Sequence, residues 1–175
     1  MLNFFKRKTK TLGQKRDEIK EAFFQSPHHS WINDNRYIKR AFAFLLDNLS
    51  EEAINFLYPN RREAFFIKGN GRLGTALGTK KNTHLILVYP DLVKMLTSGA
   101  PLMGVAVLAH ELGHIVKGHS FKVIDPLQAQ CEADEFAYDM GLGHELQEVL
   151  MDEVPTIETR TRIARLTSMI LSHNH

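Results

Sequence analysis

The chain has 175 residues with 43% apolar and 24% charged side chains, ordinary values for one globular unit with a sizeable core. A net charge of +2 gives no electrostatic case for a nucleic-acid partner. The single cysteine, Cys131, excludes an intramolecular disulfide and fits a reducing compartment.

Met1 to Phe5 is a short, mainly apolar patch, and Lys6, Arg7, Lys8 and Lys10 follow it. A secretory signal has its charges first and a longer apolar run after them, so none is read here. One short patch beside basic residues predicts at most weak contact with a membrane surface. The longest apolar run, Pro101 to Ala109, is too short to span a bilayer. The expected location is cytoplasmic.

Asp17 to Phe24 reads as helix, and Ser26 to Asn35 as a loop whose His28 and His29 lie on the surface. Arg36 to Leu57 reads as helix, with Ile38, Ala41, Phe42, Leu45 and Leu46 at helical spacing. Ser50 is placed to cap a second helix within that span. Residues 1–60 form an N-terminal helical region, a candidate cap over a cleft in the remainder, 61–175. Glu63 to Lys68 has strand character, Gly69-Asn70-Gly71 is a turn, and Arg72 to Thr79 reads as a second strand. After a turn at Lys80-Lys81-Asn82, His84 to Tyr89 is the clearest strand of all. Pro90 begins a helix to about Thr97, and Pro101 stands where a proline favours the first turn of the next. Pro126 to Met140 reads as helix, closed by Gly141 and Gly143. His144 to Asp152 and Pro155 to Leu171 read as the last two helices, and the tail from Ser172 as disordered. The expected fold class is α+β: a mostly helical domain with a small, mostly antiparallel sheet over the helix that opens at Pro101.

That helix carries His110-Glu111-Leu112-Gly113-His114. Residues i and i+4 share a helix face, so the two imidazoles point the same way and can hold one Zn²⁺. Glu111, one step round, suits a general base acting on a water whose pKa such a cation lowers to about 7. Val105, Leu108, Leu112, Ile115 and Val116 form a stripe nearly opposite the histidines, which predicts a helix packed on one side and facing a cleft on the other. The chemistry implied is hydrolysis of a peptide bond in a peptide or protein substrate. An extended substrate would add a strand to the sheet edge near Leu73 to Gly78.

A catalytic zinc site commonly has a third protein ligand. Lys117 and Ser120 stand where the metzincin pattern needs Gly and His. The only cysteine lies downstream, which excludes the deformylase arrangement. A carboxylate from a later helix remains.

Here the sequence resembles a known family. Leu108 to His114, with His119 five residues on, is similar to the motif helix of gluzincin metallopeptidases. The resemblance is to the group of the CAAX prenyl endopeptidases and bacterial heat-shock proteases. Glu132-Ala133-Asp134-Glu135-Phe136-Ala137, then Gly141, resembles that group's second motif, and the likeness spans about residues 63–170. Without the long membrane helices of those enzymes, the chain looks like the compact catalytic domains called minigluzincins. The resemblance implies zinc, a carboxylate at Asp134 that orients a ligating imidazole, and an arginine near the site, here Arg162. The family's metal-binding glutamate aligns with Gln130, and an amide is a poor zinc ligand beside a carboxylate. Gln130 and Glu132 flank the apolar stripe of their helix about equally, so the wheel leaves both open. Charge favours Glu132 as the third ligand, with His110 and His114. The alternative is a degenerate fold of this class that binds peptide or protein without hydrolysing it.

Overall fold

The structure is a computed structural model that describes residues 10–58, 63–69 and 83–172, and the backbone of 74–80. The apolar-basic start, Pro59, the Asn70-Gly71 turn, Arg72, Leu73, the Lys81-Asn82 turn and the last three residues lie outside the described residues.

Local chemistry sets most element ends. Helix α1 (Leu12–Gln25) starts at a capping box in which Thr11 and Gln14 exchange side-chain-to-backbone bonds. Asn35 accepts from Tyr37 N and Ile38 N to open α3 (Arg36–Asp47), after a short α2 (Ser30–Asn33). Ser50 caps α4 (Glu51–Leu57) by accepting from Ala53 N. Strands β1 (Glu63–Lys68), β2 (Gly74–Lys80) and β3 (Thr83–Val88) follow. Helices α5 (Pro90–Leu96) and α6 (Pro101–Val116) each begin on a proline, whose missing N–H costs nothing at that position. Asp125 caps α7 (Pro126–Asp139). Gly141 ends that helix at φ 79, whereas Gly143 is the first residue of α8 (Gly143–Met151) and not a second stop. Thr156 and Thr159 satisfy each other's backbone N–H at the start of α9 (Ile157–Ser172).

The fold is α+β and mostly helical, but the sheet is not mostly antiparallel. Its strand order is β1-β3-β2: β2 pairs antiparallel with β3, and β1 pairs parallel with β3. The most apolar strand takes the middle, where both sides are paired. His84, Ile86 and Val88 alternate inward from it. A short link from β2 permits only a hairpin with β3, which leaves the other side of β3 to β1.

The 26–35 segment also departs from a surface loop. His28 is exposed, but His29 is buried in a 3₁₀ turn. Its Nδ1 lies 2.8 Å from Phe23 O, and its Nε2 accepts from Phe66 N at 3.2 Å, so one neutral ring ties α1 to β1. Burial lowers its pKa, keeping it neutral. Trp31 Nε1 donates to Phe66 O at 3.0 Å beside it.

Helix α6 is the centre of the molecule. It packs on α3, α5, α7, α8 and β2, and every residue from Gly104 to His110 is buried. One core runs from Phe23, Ile32 and Phe42 through Ile86 and Leu108 to Leu166. None of the helices among the described residues is long and apolar enough to cross a membrane.

Candidate metal centre

Burial changes what the motif helix presents. The wheel predicts a packed stripe and an open histidine face, but α7 and α8 cover much of the second side. His110 is only 7% exposed, and Glu111 and His114 are half-buried. The pair therefore sits in a recess.

Close approach of α7 to α6 creates that recess. A Cβ on Gly113 would lie 3.0 Å from Phe136 Cβ and 3.1 Å from Ala133 Cα, so glycine lets the two backbones meet. The contact brings Asp134 against His110, with Nδ1 2.8 Å from Oδ1. Arg162, from α9, grips the same carboxylate with Nε to Oδ2 and Nη2 to Oδ1, each 2.8 Å. Burial opposes ionisation of Asp134, yet its bonds from Arg162 and His110 outweigh that and hold its carboxyl below the ordinary range. Burial likewise works against the Arg162 cation, and Asp134 more than offsets it.

Beyond its first turn the site is shaped by Gly118. It ends α6 in the left-handed region, φ 70, and turns the chain back so that His119 reaches His114. Their Nδ1 atoms are 2.8 Å apart. His119 Nε2 lies 3.0 Å from Glu132 Oε2, and Gln128 Nε2 donates to Glu132 Oε1 at 2.9 Å. The bond with His119, then that with Gln128, lowers the Glu132 pKa.

The front of the pair faces inward. His110 Nε2 and His114 Nε2 are 3.1 Å apart, with the rings near perpendicular at 86°. Two nitrogens at about 2.0–2.1 Å from one tetrahedral cation would be roughly 3.3 Å apart, so the spacing fits joint ligation. Burial first, then the neighbouring His110, His119 and Arg162, drives His114 to a pKa of about 3, so the ring is neutral at pH 7, the form that metal ligation requires.

The residues singled out by sequence thus separate. His110, His114 and Asp134 come together. Glu132 is turned toward His119, on the far side of His114. Among the described residues no group of three His, Cys, Asp or Glu side chains forms around the pair. The reason is angular: Glu132 is about 200° round α7 from Gln130, whereas Gln130 and Asp134, four apart, share a face. Cys131 is buried, and burial raises its thiol pKa. Tyr138 donates to Met169 O at 2.9 Å and tethers α9. The role of Arg162 as the clamp on Asp134 was only half legible, since a basic residue on the last helix could equally face solvent. The contact between His119 and His114 had one signal, a histidine just past the helix stop.

A glutamate between two histidines one turn apart, on a central helix beside a small sheet, defines the zincin class of metallopeptidase sites. Residues 45–131 match the model of peptidase family M48. The match covers just under half of the chain, so the likeness is to a metallopeptidase family of the gluzincin type, and it supports a protease. The matched stretch contains His110, Glu111, His114 and Gln130 and stops before Glu132 and Asp134. No curated protein and no solved structure matches the chain.

Proposed function

We propose that this protein is a zinc-dependent endopeptidase. The observation that carries the reading is the 3.1 Å approach of two Nε2 atoms whose rings each have a polar neighbour 2.8 Å from Nδ1, Asp134 Oδ1 for His110 and His119 Nδ1 for His114. Histidine ligands of zinc characteristically have such partners.

His110 and His114 hold the ion, and Asp134 keeps His110 in the orientation and tautomer that ligation needs. When bound, zinc supplies the Lewis acidity that lowers a water's pKa to about 7. Glu111 takes the proton from the attacking water and delivers it to the leaving amine nitrogen. The face of α7 that bears Gln130 and Asp134 supplies the third side of the site. The neutral amide of Gln130 makes that side weaker than a carboxylate would. An extended peptide lies along β2, an edge strand that pairs with β3 on one side, and gains affinity by backbone hydrogen bonds.

Metal analysis after dialysis, together with casein cleavage, tests this reading. About one zinc per chain is expected, with activity lost to a chelator and restored by zinc. Glu111→Gln is expected to retain zinc and lose about 10²–10⁴-fold in rate. Undiminished cleavage by that variant, or no zinc in the wild type, rejects the proposal; the latter result would leave a peptide-binding module.

A further inference from the structure

We propose that Phe121 is a specificity-determining residue, an apolar contact that selects extended peptides with a large hydrophobic side chain close to the scissile bond. The inference rests on the peptidase reading above and deepens it by naming the class of substrate.

The turn after α6 connects the histidine pair with the sheet. Gly118 reverses the chain at φ 70, and a 3₁₀ turn, His119–Phe121, follows. At its start the His119 ring meets the His114 ring, with centroids 5.0 Å apart. At its end the Phe121 ring stands edge-on to His84 of β3, with centroids 6.3 Å apart and planes at 75°. His84 belongs to the inward row of β3 with Ile86 and Val88, and its backbone pairs with Gly78 of β2. The turn itself packs on both α6 and β2. Phe121 therefore lies between the candidate metal centre and β2, the edge strand whose outer side pairs with no strand among the described residues.

The ring is fixed on one side and open on the other. Phe56, from α4, lies 5.6 Å from His84, so Phe121 ends a row of three rings. His84 is buried, whereas Phe121 is 60% exposed. An apolar side chain laid against such a ring removes surface from water on both partners. A backed aromatic ring also has little freedom to lose on contact. Two residues of chain span at most about 7 Å, and a strand advances about 3.3 Å per residue. The side chain selected is thus no more than about four positions from the cleaved bond. Val154 and Ile157 are also exposed and apolar, but they stand on α9 and the link into it, an element that packs on α7 and α8. They provide the comparison.

The test uses the full chain and fluorescein-labelled octapeptides that carry Phe, Leu, Ala or Asp at each position in turn of a Gly-Ser background. Anisotropy in a Glu111→Gln background, which leaves bound peptide uncut, reads affinity, and initial rates with zinc-loaded protein read cleavage. At one position Phe or Leu is expected to outperform Ala by about 10–100-fold in both. Phe121→Ser should bring that ratio to about one, and Phe121→Leu should keep most of it. Phe121→Lys should make Asp the favoured residue at the same position, a gain that a misfolded chain cannot produce. Ile157→Ser should leave the preference as it is. No apolar preference in the wild type, an unchanged ratio in Phe121→Ser, no switch in Phe121→Lys, or an equal loss in Ile157→Ser overturns the proposal. If cleavage persists in those cases, the peptidase reading stands. Phe121-dependent binding of peptides that the wild type never cuts rejects the hydrolase and keeps the contact. Peptides neither bound nor cut reject both.

Discussion

His110 and Asp134 meet at 2.8 Å, Nδ1 to Oδ1, across the contact of α6 and α7, and Arg162 closes on the same carboxylate from α9. Three helices are thus joined at one buried charge, immediately behind the candidate metal centre.

Removing that charge should be costly. Asp134→Ala leaves the Arg162 guanidinium buried without its partner, a loss on the order of 3–5 kcal/mol. Zinc affinity should also fall, by about 10–100-fold, because His110 loses its acceptor. Urea denaturation and zinc competition measure the two effects. A variant as stable as wild type would show that water reaches Arg162.

Acid should act through the same residue. The Asp134 pKa lies below its ordinary value of 3.8, because the bonds from Arg162 and His110 overcome burial. A depressed carboxyl stabilises the fold at pH above its unfolded value and stops doing so as the pH falls through the folded one. Stability measured as the pH falls below 3.8 should therefore drop more steeply in wild type than in Asp134→Asn, which has no such proton to gain. Parallel acid profiles for the two would contradict the assignment.

Gln130→Glu should strengthen the site. Gln130 shares the α7 face of Asp134, so a carboxylate there would approach the histidine pair from the third side. Zinc affinity is expected to rise by roughly tenfold or more, since a charged oxygen replaces a neutral amide. No gain, combined with a severe loss in Glu132→Ala, would return the third position to Glu132.

Gly113→Ala probes the helix crossing. The added methyl would press on Phe136 and the Ala133 backbone, and overpacking of this kind costs about 1–3 kcal/mol. Separation of α6 from α7 should also lower zinc affinity by drawing Asp134 away from His110. Thermal unfolding and zinc competition should shift together, and a neutral substitution would mean that α7 moves freely.

Residues 1–60 should be needed for folding. Phe42 is fully buried, stacks on Phe23 and meets Phe66 edge-on, and α3 packs directly on α6. Phe42→Ala is expected to cost about 3–5 kcal/mol, and deletion of residues 1–60 to abolish the cooperative unfolding transition. A truncated chain that still unfolds cooperatively and cleaves faster would instead make this region an inhibitory cap.

Much of the site was legible because its signals are local. A four-residue spacing on a helix aligns His110 with His114 and places Glu111 beside them whatever surrounds the helix. Ser50, Pro90 and Pro101 mark helix starts through their own backbone chemistry, and the structure has starts there. Other features depend on partners distant along the chain. His29 is polar in sequence and buried in the fold, because Phe23 O and Phe66 N come to it. The parallel pairing of β1 with β3 depends on which strand takes the middle of the sheet. Charge pointed to Glu132 as the third ligand, whereas the face it occupies on α7 and the turn at Gly118 direct it to His119. Local spacing decides which side chains can act together, because covalent geometry carries it. Which of them meet is decided by how helices cross, because hydrogen bonds reach only about 3 Å.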